Sequence, residues 1–238
     1  MPAFYFFIHG MFQSKQSWKT VIRLLEDKGY TSVAIDLPGH GISTESVSGK
    51  GIDDYANSVI QEIEQMHQPV ILVMHDMSGW VGTEVARRRP DLICQLVYLA
   101  AMYGNRADYE HPEFYTEPGR IERALHAQNG ILSIDPKEAR YIFFGDLDDL
   151  QFEIASSALG YESERLLGEQ PVIPGIEFHD IPSTYIQLVN DKALPLNVQK
   201  MMQKALRPTS VFTLDTDHAP FYSAPQQLTD ILIELNHH

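Results

Sequence analysis

Short continuous apolar runs alternate with amphipathic segments along this chain, the arrangement of a mostly parallel sheet covered by helices on both faces. Ala3 to Ile8 reads as the first strand, unbroken in Phe, Tyr and Ile as fully covered strands are. Gln16 to Lys28 places Trp18, Val21, Leu24 and Leu25 on one helical face and stops at Gly29, a residue suited to the left-handed position past a helix end. Ser32 to Ile35 is the next strand, closed by the turn Asp36-Leu37-Pro38-Gly39-His40-Gly41. Asp53 to Met66 carries Tyr55, Val59, Ile63 and Met66 at helical spacing, with Asp53 placed to cap its start. Strand Val70 to Met74, helix Ser78 to Arg88 and strand Cys94 to Leu99 follow, each strand-helix-strand unit taking the length a parallel crossover requires.

The rhythm fails from Met102 to about Pro182, where Tyr, Glu, Asp and Pro dominate and only shorter helical patterns stand out, Pro118 to Ala127 and Leu147 to Ser157. An insertion this long between core strands should carry structure of its own. It reads as a helical lid over residues 103–182, with residues 1–102 and 183–238 forming the core. The regular pattern resumes with strand Tyr185 to Val189, helix Pro195 to Leu206, strand Thr209 to Leu214 and a closing helix Ala224 to Leu235.

At 238 residues, 44% hydrophobic and 21% charged, the chain suits one globular domain with a sizeable core. No run reaches the roughly 18 to 20 apolar residues of a membrane span, and Met1-Pro2-Ala3 enters a strand with no basic leader, so a cytoplasmic protein is expected. The formal charge of -14 disfavours nucleic acid and anionic membranes as partners. A small-molecule substrate is the expected partner, and a homodimer is left open. Cys94 is the single cysteine, which excludes an intrachain disulfide, and its apolar neighbours suggest a packed thiol. There is no metal-ligand spacing and no glycine-rich phosphate loop, so neither a metal nor another cofactor is expected.

Three segments lie just past the carboxyl ends of expected strands, the edge at which parallel sheets bind ligands: Ile8-His9-Gly10-Met11-Phe12, His75-Asp76-Met77-Ser78-Gly79 and Thr216-Asp217-His218-Ala219-Pro220. Together with Trp18 eight residues after Gly10, Asn190-Asp191-Lys192-Ala193-Leu194-Pro195 and Ala224-Pro225-Gln226-Gln227-Leu228, they resemble in order the α/β-hydrolase superfamily, more narrowly its compact group of plant methylesterases and hydroxynitrile lyases. The resemblance covers nearly the whole chain outside the insertion. It implies an α/β-hydrolase fold, with Asp76 at the nucleophile position, His218 as base, Asp191 as the acid orienting it, and the backbone N–H groups of Met11 and Met77 as an oxyanion hole. Phe12, His75 and Tyr103 are candidates for substrate contact.

The family usually has serine at the elbow centre, with small residues two places to either side. Here Asp76 stands there instead, between Met74 and Ser78, and an aspartate elbow resembles the epoxide hydrolase and haloalkane dehalogenase branches of the superfamily. A carboxylate needs no base to become nucleophilic, and the helix beginning near Ser78 favours its charge. Attack on saturated carbon would leave an alkyl ester, cleaved by water that His218 activates. Attack on an ordinary ester would give an anhydride, a poor route. The dehalogenase branch usually has tryptophan after the nucleophile, where Met77 stands. The epoxide branch uses lid tyrosines as acids, for which Tyr103, Tyr109, Tyr115, Tyr141 and Tyr161 are candidates. Epoxide opening is therefore expected ahead of dehalogenation. Alternatives are an esterase, a lyase, decarboxylase or cyclase using Asp76 and His218 as acid and base, and a noncatalytic small-molecule receptor. Single residues also have plainer readings: Asp76 as a helix cap, His218 as a core histidine, Asp191 as a turn residue, His9 as a loop former, Trp18 and Trp80 as core aromatics.

Overall fold

A computed structural model describes residues 4–108, 115–169, 171–172 and 180–237. Six parallel strands form the central sheet: β1 (Phe4–Ile8), β2 (Thr31–Ile35), β3 (Val70–His75), β4 (Ile93–Leu99), β8 (Ser183–Leu188) and β9 (Ser210–Leu214), in spatial order β2-β1-β3-β4-β8-β9. The order reverses direction between β1 and β3, and at such a point the loops leaving the carboxyl ends part to form a crevice. Successive side chains of each strand feed opposite faces. Phe6, Ile8, Leu72 and Met74 join one apolar core, while Tyr5, Phe7, Ile71 and Val73 join the other. Both faces are thus buried, and the continuous apolar runs of the sequence follow from that.

The covering helices of the core are α1 (Lys19–Asp27), α2 (Ile52–Glu64), α3 (Ser78–Arg88), α8 (Leu196–Leu206), α9 (Pro220–Ser223) and α10 (Pro225–Glu234). A short 3-10 turn, Lys15–Trp18, leads into α1, and Gly29 just past its end adopts φ +85°. Two expectations fail locally. α2 begins at Ile52, so Asp53 lies inside the helix and ion-pairs with Arg88, while the Asp54 carboxylate takes the N-terminal role by accepting from the Gly51 N–H at 2.9 Å. Cys94 is exposed rather than packed, because the β3–β4 register shifts between Val70, opposite Ile93, and Ile71, opposite Gln95, leaving Cys94 without a facing partner where the sheet begins.

Between Leu99 and Ser183 the chain leaves the sheet. The described part of this insertion holds α4 (Arg120–Ala124), β5 (Leu125–Gln128), β6 (Ile131–Ile134), α5 (Pro136–Phe143), α6 (Asp149–Ser157), β7 (Glu162–Ser163) and α7 (Glu164–Gly168), with β5, β6 and β7 in a small antiparallel sheet. The expected all-helical lid is therefore mixed, and the helix read over Pro118 to Ala127 ends at Ala124. Asn129 and Gly130, at φ 55° and 77°, supply the two left-handed residues that turn β5 back into β6.

Polar bonds fasten this insertion to the core. The buried Glu162 carboxylate accepts from Tyr55 Oη at 2.7 Å and from its neighbour's Ser163 N–H at 2.7 Å, and lies 3.2 Å from His40 Nε2. Glu169 accepts from the Ile52 N–H at 2.6 Å, and the Gly160 N–H donates to the Phe12 carbonyl at 2.7 Å. Among the described residues no helix is long and apolar enough to cross a membrane.

Candidate active site

The strand β3 delivers Asp76 at φ 54°, a left-handed conformation that a residue with a side chain adopts only when its surroundings enforce it. The Asp76 carbonyl accepts from the Gly79 N–H at 3.1 Å and the Met102 N–H at 2.8 Å. The Ser78 hydroxyl is buried between the Ile8 and His75 carbonyls and the His75 N–H, which makes it a brace for the elbow and keeps it out of the cavity. Two glycines explain how a bulky elbow fits. A Cβ on Gly82 would lie 1.9 Å from Met74 Sδ, and a Cβ on Gly10 would lie 2.8 Å from Asp76 Cβ. Met74 and Asp76 therefore occupy space that these glycines leave empty.

The Met11 N–H donates to Asp76 Oδ2 at 3.0 Å, and the Met77 N–H also bonds the carboxylate. The two N–H groups that would form an oxyanion hole thus hold the side chain of Asp76 itself. Asp76 is only 6% exposed, yet it lines a cavity of about 640 Å³. Burial raises the Asp76 carboxyl above the usual carboxylate range, opposed by the His218 charge and by the two N–H bonds.

His218 Nδ1 donates to Asp191 Oδ2 at 2.8 Å, and Asp191 Oδ1 accepts from the Ala193 and Leu194 N–H groups, both at 2.8 Å. This directs the protonated Nδ1 to Asp191 and orients the ring. Burial alone would lower the His218 pKa, but the charge and hydrogen bond of Asp191, then the charges of Asp76 and Asp217, outweigh it and hold it at about 9. His218 and Asp191 lie behind the cavity wall, at 1% and 5% exposure.

The wall is mostly apolar, with Phe12, Trp80, Met102, Leu132, Phe143 and Leu166 among its residues, and Glu117, Arg120, Glu122 and Glu164 add charge. Trp80 Nε1 is spent on the Gly104 carbonyl at 3.1 Å, so this indole is anchored while its ring faces the cavity. Trp18 is a fully buried core aromatic. Among the described residues no cluster of three metal-ligating side chains occurs.

Two of the three expected contacts change. Phe12 does line the cavity, at φ 61°, but His75 and Tyr103 do not. His75 is wholly buried beneath the elbow, where its Nε2 lies 2.9 Å from the His218 carbonyl; that acceptor requires the proton on Nε2, and Nδ1 has no hydrogen-bond partner among the described residues. Burial, and next the His218 charge, push its pKa well below the ordinary value. Tyr103 packs edge-on against Tyr98, directed into the core because the chain is still leaving β4 there. Of the tyrosine acids, Tyr115 lines the cavity. Tyr141 is instead turned to Glu117 under the Arg120 guanidinium, Tyr161 is exposed, and Tyr109 lies outside the described residues. His9 is a loop former as expected: its Nε2 accepts from the Leu37 N–H at 3.1 Å and burial lowers its pKa to about 3.

The chain is 28% identical to a pyrethroid hydrolase of Sphingobium wenxiniae, across 95% of this chain and 85% of that protein. It is 29% identical to putative methylesterase 11, chloroplastic, of Arabidopsis thaliana, across 96% of this chain, and spans 62% of that relative's length. The crystal structure of a pyrethroid hydrolase from Sphingobium faniae JZ-2 superposes with a TM-score of 0.85 at 25% identity, covering 100% and 98% of the two chains. Residues 5–231 match the Alpha/beta hydrolase family, which with the sheet order and the elbow at Asp76 shows that this chain belongs to it.

Proposed function

We propose that the protein is a cofactor-independent hydrolase of a small, mostly apolar organic substrate, and that Asp76 attacks saturated carbon to form a covalent alkyl ester. The observation that carries this reading is the placement of Asp76: one carboxylate oxygen is held by the Met11 N–H, with the Met77 N–H also bonding the group, while the residue borders the cavity. A carboxylate held this way keeps its second oxygen for in-line attack. When water later adds to the ester carbonyl, the same N–H groups are already aimed at the oxyanion that develops.

The charges support the order of events. Before attack, Asp76 helps hold His218 protonated, at a pKa of about 9. Esterification neutralises Asp76 and removes that contribution, so the His218 pKa falls and the imidazole becomes available to deprotonate water. Asp191 holds the ring throughout. Epoxide opening ranks ahead of dehalogenation because Met77 follows the nucleophile and the Trp80 donor is engaged with Gly104, which leaves no free indole N–H in the described cavity lining for a departing halide. Tyr115 borders the cavity, which favours it among the candidate tyrosines as the acid for an opening epoxide. Residues 103–182 serve as the lid that sets substrate choice.

The test is intact-mass analysis of His218→Ala after incubation with styrene oxide, with a mass increase that maps to Asp76 expected. If wild-type protein turns the epoxide over while His218→Ala carries no adduct, the covalent route is wrong. The names of the relatives favour a second reading, ester hydrolysis. Single turnover in oxygen-18 water separates the two. The alkyl route places a carboxylate oxygen of Asp76 in the first product, whereas direct attack by water on an ester places solvent oxygen there.

A further inference from the structure

The end of α5 and the loop after it approach the proposed base at two points. Phe143, the last residue of α5, lines the cavity, and its ring centroid lies 5.3 Å from that of His218. Three residues on, Asp146 and Asp217 form a reciprocal clamp. The Asp146 N–H donates to Asp217 Oδ2 at 3.0 Å, and the Asp217 N–H donates to Asp146 Oδ2 at 2.7 Å. Asp217 Oδ1 in turn accepts from the Ala219 N–H at 3.2 Å and the Ser223 hydroxyl at 3.0 Å. The amides on both sides of His218 are therefore bonded to carboxylates, and one of those carboxylates belongs to the insertion.

We infer that Asp146 is a positioning residue for His218, through which the insertion that walls the cavity also sets the geometry of the base. The inference rests on the proposed role of His218. The imidazole has its Nδ1 on Asp191 and its backbone carbonyl on His75, and neither bond restrains the turn from Asp217 into His218. The Ala219 N–H bond to Asp217 closes that turn locally, and the Asp217 N–H bond to Asp146 ties it to the insertion. Two carboxylates are brought close in the clamp, with Asp217 only 4% exposed, an arrangement that opposes itself by like charge and is offset by the N–H bonds each group accepts. A bond kept against such opposition has a geometric consequence, and the group it orients is the imidazole between Asp217 and Ala219.

The test compares Asp146→Ala, which deletes the acceptor, with Asp146→Asn, which keeps an oxygen for the Asp217 N–H. Asp149→Ala is the control, since it removes only an exposed ion pair with Arg140 in the same insertion. The first readout is the NMR signal of the His218 Nδ1 proton and its titration. In Asp146→Ala the signal should broaden and the midpoint should fall from about 9 toward the ordinary histidine value, while Asp146→Asn and Asp149→Ala keep the wild-type signal. The second is the rate of covalent adduct formation and loss with styrene oxide. Asp146→Ala should slow adduct loss about tenfold or more while leaving its formation within about twofold. Wild-type His218 titration in Asp146→Ala would overturn the inference, as would failure of Asp146→Asn to restore it. If no variant, His218→Ala included, ever forms an adduct, the nucleophile reading fails and the NMR comparison still decides the role of Asp146.

Discussion

The central sheet and the insertion differ in how they are held: the sheet strands are packed on both faces, while the insertion adds point-to-point polar bonds to its apolar contacts with the core. Strands β1 and β3 are buried on both faces by large apolar side chains, with Phe6, Phe7, Leu72 and Val73 all at 0% exposure. Close packing of that kind tolerates little displacement, so the loops leaving these strands deliver Met11 and Asp76 to fixed positions. The insertion has its own small sheet and shares apolar packing with the core through side chains such as Phe143, Phe144 and Leu166, and individual polar bonds add registration at single points: Glu162 to Tyr55, Glu169 to Ile52, Gly160 to Phe12 and Asp146 to Asp217. Bonds of this sort register exactly two atoms each, and substituting one loosens a joint without collapsing the sheet.

The sharpest way to probe that division is at Asp76. Replacing it with Asn should lower turnover by on the order of 10⁴ or more, since the amide is not a nucleophile. The fold should survive, because burial already holds the carboxyl above its usual range and so disfavours the charged form; the amide also keeps an acceptor for the Met11 N–H. His218 should then titrate below about 9, because one of the charges that raises it is gone. The linked stability has a definite sign. A raised histidine pKa contributes fully below the unfolded value near 6.5 and is lost as pH rises through about 9, so this contribution should shrink in Asp76→Asn. Urea unfolding at pH 6 and pH 9 measures it, and an unchanged difference would separate Asp76 from His218.

The next largest effect is expected in the sheet. Phe6→Ala should cost about 3 to 5 kcal/mol in global stability, measured by denaturant unfolding, as deletion of a fully buried aromatic ring does. Glu162→Gln should cost less, about 1 to 3 kcal/mol, because the amide still accepts from Tyr55 while the pairing with His40 is weakened. Its signature should be regional: faster hydrogen exchange in β7 and α7, with β1 and β3 protected as before. Equal loss of protection in the sheet would erase the distinction between the two regions.

Much of the core was legible because its physics is local and periodic. Runs such as Val70 to Met74 are apolar on consecutive residues, a pattern that a doubly covered strand explains. The three loops bearing Met11, Asp76 and His218 follow directly from where those strands end. The insertion was misread where two local signals competed. The helical spacing in Pro118 to Ala127 obscured the alternation across Leu125 to Ile134, although Asn129-Gly130 at its centre is a hairpin turn signal. Cys94 was misplaced because its apolar neighbours say nothing of a register shift, which depends on the facing strand.

The sequence by itself determined the sheet, the order of its loops and the identity of the group at the elbow, since each depends on residues near one another in the chain. Only the tertiary structure decided that the Met11 N–H holds the Asp76 carboxylate, that His75 and Tyr103 face away from the cavity, and that Asp146 meets Asp217. Those outcomes join residues 65 and 71 positions apart in the chain, and the distance between such residues is set by packing of the whole domain rather than by any local preference.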